Sequence, residues 1–144
     1  MAAPVLARYD YVGVLNLKAD NILPKGGLTL DQVRSLISRG WEIAAHTLHH
    51  KDLTTLALTQ LKKEVAGSRR DLEALFHVPV DFFCYPAGRF DNAVVAEVKA
   101  AGFLGATTTV EGMATHTESP FELPRVRVSG GESLARFVAL LRST

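Results

Sequence analysis

The chain has a single cysteine, Cys84, among its 144 residues, so no internal disulfide can form. It has no long hydrophobic run. The longest apolar stretch free of charge, from Ala100 to Val110, is too short to span a bilayer. It has no excess of one charge either: sixteen Lys and Arg stand against fifteen Asp and Glu, a net charge of +1. No feature therefore calls for nucleic acid or an anionic membrane as partner. The basic pairs Lys62-Lys63 and Arg69-Arg70 fall on a helical pattern and read as a solvated face. The opening M-A-A-P-V-L-A lacks the basic n-region and long apolar h-region of a signal peptide, so no export signal is expected in the chain and the location stays open. There is no repeat, no low-complexity tract and no pair of adjacent carboxylates.

What is present has globular proportions, 47% apolar and 22% charged. One domain of this size can bury about 68–70% of its unfolded surface and needs no metal or disulfide merely to fold. Strand-like segments run from Tyr11 to Leu17, Trp41 to Ala45, Asp81 to Tyr85, Phe103 to Thr109 and Leu123 to Val128. Between them stand helical patterns. Thr29-Leu30-Asp31-Gln32 has capping-box form and opens a helix that Gly40 stops. Leu58, Leu61, Val65, Leu72, Leu75 and Phe76 mark a long amphipathic helix ending before Pro79. Asp91 caps a helix closed by Gly102, and Ser133 caps the last one. Asn21 to Leu28 reads as a loop. Alternating strands and helices predict a mostly parallel α/β sheet, with ligands at the C-terminal ends of the strands.

Two strand-to-helix loops then share one face. The first is H-T-L-H-H-K-D-L, His46 to Leu53. His46 and His50 are four apart and can aim two imidazoles at one point, as a divalent metal needs. Thr47 can stiffen the loop by a hydrogen bond, Asp52 can orient a ring or cap the loop, and His49 is expected to point away. A bare H-x3-H is also compatible with an ordinary polar loop. For a third ligand, Asp81 lies at the wrong end of its strand, Asp91 is a cap, and Asp10 and Asp20 flank the first strand. Asp20 is at the correct end but stands in no motif. The second loop is F-C-Y-P-A-G-R-F, Phe83 to Phe90. Its turn can present backbone N–H groups to a ligand oxygen, or be only a tight βα turn.

Together the segments are more specific. G-W-E-I-A-A-H-T-L-H-H-K-D-L, a long helix, then F-C-Y-P-A-G-R-F resembles the polysaccharide deacetylase family, the chitooligosaccharide-deacetylase-like (NodB-type) carbohydrate esterases of family 4. T-L-D-Q-V-R-S-L-I-S-R-G-W-E-I and L-P-R-V-R-V are similar to its poly-N-acetylglucosamine deacetylase branch. The resemblance covers nearly the whole chain. It implies a distorted, partial (β/α) barrel and a divalent metal, usually zinc, held by one Asp and two His, here His46 and His50. The metal polarises the acetamide carbonyl and activates a water, an Asp acts as base, and the backbone N–H of Ala87 donates to the oxyanion. Tyr85, Pro86, Gly88, Leu123 and Arg125 fall on substrate-binding positions, and the partner is an N-acetylated glycan.

The departures also carry expectations. The family's T-F-D-D-G strand, source of the base and the metal-binding Asp, is absent. The segment 1–10 reads as the end of the helix after it, so 1–144 is expected to be one deacetylase domain lacking its first β-α unit. Cys84 and Ala87 replace an Arg and a Tyr common in relatives. Arg125 stands where many carry a His acid, and cannot give up a proton near neutral pH; His116 is a weak substitute. Three readings follow: a metal-dependent N-deacetylase, an inactive remnant binding glycan or metal, and a packing domain with incidental histidines. The unpaired edge at Tyr11 to Leu17 predicts self-association.

Overall fold

The computed structural model describes residues 3–20 and 27–142. Most of the predicted 21–28 loop lies outside them. Helix α1 (Ala3–Ala7) leads into strand β1 (Val14–Leu17), helix α2 (Leu30–Ile37), strand β2 (Glu42–Ala45), helix α3 (Leu58–Phe76), strand β3 (Phe82–Cys84), helix α4 (Asn92–Ala100), strand β4 (Gly105–Thr107) and helix α5 (Leu134–Arg142). The four strands form one sheet in the order β1-β2-β3-β4, every neighbouring pair parallel. The register sets Leu17 beside Ala45, Ala45 beside Phe83, and Cys84 beside Thr107. The residues that follow β2, β3 and β4 therefore leave the sheet at one end, that of the strand C-termini.

Local chemistry places these elements. Thr29 and Gln32 make the reciprocal capping box, each side chain accepting from the other's backbone N–H. Past Ser38 the chain turns through Gly40 at φ +87°, and the Gly40 and Trp41 N–H groups bond the Ile37 and Leu36 carbonyls, so the end of α2 is satisfied by a glycine that bears the left-handed turn. Asp91 accepts from the Val94 N–H at 2.9 Å to start α4. Ser133 accepts from the Arg136 N–H at the start of α5. The core joins Ile43, Ala45, Phe83, Tyr85 and Ala106 of the sheet side to Val33, Leu61, Val65, Leu72, Phe76, Val94 and Val98 of the helices. No helix among the described residues is long and apolar enough to cross a membrane.

Several expectations need correction. Leu123 to Val128 is not a strand: only Leu123 bridges Thr107. Pro124 has no N–H to donate. Beyond it, the Arg125 guanidinium takes the Thr108 carbonyl at 2.6 Å, and the Arg125 backbone N–H turns instead to the Val110 carbonyl. The acceptor that a second parallel bridge requires is thus occupied by a side chain. Tyr11 to Leu17 is a strand only from Val14, and it is not buried: Tyr11, Val12 and Val14 are more than half exposed because β1 is an edge. Leu58, counted on the apolar stripe of α3, is exposed. Arg69 is no solvated residue. It donates to the Ala101 carbonyl and to Glu73, pairs with Asp81 and lies over Phe103, locking α3 to α4 at the end of the sheet away from the two loops.

Candidate active site

His46 follows β2 directly, its N–H bonded to the Leu17 carbonyl. Its Nδ1 lies 2.6 Å from the Cys84 carbonyl at the end of β3. A carbonyl only accepts, so Nδ1 carries the proton and Nε2 of the neutral ring keeps its lone pair. Burial pushes the His46 pKa below its ordinary value; the Cys84 bond opposes this and the Arg125 charge adds to it. The ring is therefore held as neutral imidazole, the form that binds metal. His50 meets it edge to face, with ring centroids 4.7 Å apart. Among the described residues neither ring nitrogen of His50 has a hydrogen-bond partner. The sequence pairing of His46 with His50 is thus a spatial pair.

The loop between them is tightly held. The ladder continues beyond the strands, with the Ala19 and Asp20 N–H groups bonding the Thr47 and Leu48 carbonyls. Thr47 is fully buried and its hydroxyl accepts from the His50 N–H at 2.8 Å, the stiffening bond expected of it. His49 does point away from the pair. Its ring faces Glu64 on α3, and Asp20 stands 3.9 Å from its other nitrogen. Asp52 orients no histidine. It caps the 3₁₀ turn Leu53–Thr55 through Thr54 and pairs with Arg89 at 2.7 Å, tying the histidine loop to the turn after β3. The Thr54 hydroxyl, then Arg89, hold its carboxyl below the usual carboxylate range. Asp10 and Asp81 lie at the opposite end of the sheet, and Asp91 is spent as a cap. Among the described residues no three of His, Cys, Asp and Glu converge as a metal site.

The second loop forms the 3₁₀ turn Pro86–Gly88. Ala87 sits at φ +52° and Gly88 at φ +68°. The Gly88 and Arg89 N–H groups close the turn onto the Tyr85 and Pro86 carbonyls. The Ala87 N–H has no acceptor among the described residues, so the backbone donor expected of this turn is unused. Gly88 cannot be otherwise, since a Cβ there would overlap Thr109. A cavity of about 480 Å³ is lined by His46, Tyr85, Ala87, Thr109 and residues 125–128.

The remaining candidates differ in what they offer the cavity. Tyr85 is 1% exposed, stacks on Phe90 and gives its hydroxyl to the Phe121 carbonyl. Burial, with the charge of Glu122, pushes the phenol above its usual value. Tyr85 therefore has no free hydroxyl to offer the cavity. Pro86 is buried beneath the turn. Leu123 is held in its bridge to Thr107 and is not in the cavity lining, whereas Arg125 is. His116 lies exposed in the long connection after β4. The sequence missed Thr109, residues 126–128 and Glu64. For Glu64 a signal existed, a charge three residues after Leu61 on the buried stripe of α3.

The fold and site thus define an α/β protein with a parallel sheet whose strand ends carry a histidine pair and a tight turn, with His46 of the pair and Ala87 of the turn lining one cavity. The family model for polysaccharide deacetylases matches residues 3–106. Over 142 residues the chain is 30% identical to YxkH of Bacillus subtilis (strain 168), which is named a putative polysaccharide deacetylase; the match takes in 99% of this chain and 51% of that protein. The structure of the Streptococcus pyogenes deacetylase PplD in complex with acetate superposes with a TM-score of 0.90 at 22% identity, over 98% of this chain and 63% of that one. A polysaccharide deacetylase from Bacillus cereus gives 0.88 at 25% identity, over 98% and 46%. The chain belongs to the polysaccharide deacetylase family and has its fold, and it spans about half the length of the curated relative it matches.

Proposed function

We propose that the cavity is the acetamide-binding part of a metal-dependent site for deacetylating N-acetylated glycans. The observation that carries this reading is the convergence on one cavity of a metal-ready imidazole and an unused backbone donor. The donor set suits a divalent ion such as zinc: His46 has its proton fixed on Nδ1, and the ring nitrogens of the facing His50 have no hydrogen-bond partner among the described residues. Such an ion, when bound, supplies Lewis-acid polarisation and a more acidic water. The chain's own residues bind and stabilise charge. The Ala87 N–H donates to the carbonyl oxygen as negative charge develops on it. Arg125, fixed through Thr108, adds positive charge to the same cavity. Tyr85, packed on Phe90 and bonded to Phe121, holds the turn from beneath, and Ala87, with its small side chain, leaves room for a sugar.

The described residues supply no carboxylate beside the histidine pair, which favours a second reading: the 144-residue chain binds metal and glycan but turns over poorly. A general base alone typically contributes about 10²–10⁴-fold. Two measurements separate the outcomes. Zinc chloride titrated calorimetrically should bind the wild type, and His46→Ala or His50→Ala should abolish that binding. Acetate release from chitooligosaccharides or poly-N-acetylglucosamine should be slow for this chain, and should rise when an added segment contributes an Asp pair. Zinc uptake unchanged in both histidine variants would sink the metal assignment. Fast release by the chain alone would refute the need for another carboxylate.

A further inference from the structure

Glu64 is an acid in the protein interior. Its side chain is 4% exposed, on the face of α3 that also carries Leu61, Val65 and Ser68. A carboxylate buried to this degree is tolerated only when paired and hydrogen-bonded. All its partners come from the histidine loop. Oε2 accepts from the His49 backbone N–H at 2.9 Å, Oε1 accepts from His49 Nδ1 at 2.7 Å, and Lys51 Nζ stands 3.7 Å from Oε1. The reaction chemistry above makes no use of this acid.

What it holds is a loop under strain. Thr47 has φ +66° and His50 φ +59°. A side-chain-bearing residue is disfavoured in the left-handed region and stays there only where its surroundings over-determine it. Thr47 secures the His50 N–H from inside the loop. Glu64 secures both the backbone and the ring of His49 from the helix. His49 immediately precedes His50, so fixing it fixes the peptide from which the His50 imidazole is launched towards His46.

We infer that Glu64 is a positioning residue: acting through His49, it holds the His50 imidazole where it can share an ion with His46. This rests on His46 and His50 being the metal pair. Glu64 itself touches neither metal nor substrate. A group hydrogen-bonded directly to a metal-ligating histidine is typically worth 10–100-fold in metal affinity; Glu64 acts one residue further out, through His49.

The test compares Glu64→Ala and Glu64→Gln with Glu73→Ala, a control on the same helix that removes the carboxylate bonded to Arg69 and the Val80 N–H. Glu64→Gln keeps the side-chain volume and one acceptor, so it carries the test if Glu64→Ala does not fold. Each full-length variant is titrated with zinc chloride, and its amide hydrogen exchange is measured without metal. Glu64→Ala should weaken zinc binding about tenfold or more and Glu64→Gln by less, while Glu73→Ala leaves it unchanged even where its stability loss is equal. Without metal, both Glu64 variants should speed exchange at His49 and His50 but not in α4. Wild-type zinc affinity in the Glu64 variants, or an equal loss in Glu73→Ala, overturns the inference. If His46→Ala and His50→Ala bind zinc like the wild type, the metal pair itself is wrong. The inferred role falls with it, and the exchange readout then reports only whether Glu64 clamps the loop.

Discussion

Positive φ angles in side-chain-bearing residues concentrate where the two loops leave the sheet: Thr47, His50 and Ala87. Thr47 and His50 are held by the bond between them, and Ala87 by the turn bonds of Gly88 and Arg89 that follow it. Gly88 is the extreme case, because it combines φ +68° with direct apposition to Thr109. Gly88→Ala should cost about 1–2 kcal/mol for the left-handed backbone and a further 1–3 kcal/mol for the overlap. Urea denaturation should therefore show a loss of about 2 kcal/mol or more. A loss below about 0.5 kcal/mol would mean that the turn relaxes freely, and would argue against Ala87 as a rigid donor.

The elements are set largely by their ends. α4 starts where Asp91 accepts from the Val94 N–H and stops at Gly102, φ +83°. Asp91→Ala should cost about 1 kcal/mol, the usual value of a side-chain cap, and Asp91→Asn much less. The denaturant midpoint should fall with an unchanged slope; equal midpoints for wild type and Asp91→Ala would refute the cap. Helix caps were legible because a cap is a contact between residues two or three apart. The fifth strand was misread for the opposite reason. Alternation in L-P-R-V-R-V satisfies the strand pattern, but whether a ladder forms depends on free acceptors along β4. The one required, the Thr108 carbonyl, belongs to the Arg125 guanidinium.

Across the whole molecule, β1 is paired on one side only among the described residues, and Tyr11, Val12 and Val14, in it and just before it, are more than half exposed. An apolar open edge is a template for another strand, so light scattering should show concentration-dependent association. Val14→Lys should reduce it, because the charge opposes edge pairing while the register sets position 14 beside Glu42. A monodisperse monomer at high concentration would contradict this expectation. The same topology explains the site. With every strand parallel, the segments after β2 and β3 must emerge together, which brings His46 onto the Cys84 carbonyl across 38 positions of chain.

By itself the sequence determined what local spacing encodes: the alternation that makes a parallel α/β fold, the capping box at Thr29, the helix stops at Gly40 and Gly102, and the histidine pair four residues apart. These depend on neighbours within about a turn of chain, so residue type and order suffice. The tertiary structure alone decided which groups were free to act. His46 keeps Nε2 open because the Cys84 carbonyl takes Nδ1, and Tyr85 withholds its hydroxyl because the Phe121 carbonyl takes it. Asp52 serves Thr54 and Arg89 instead of a ring, and Glu64 serves the histidine loop. Each is a competition between distant partners for one donor or acceptor, and only the packing of strands and helices brings those partners within reach.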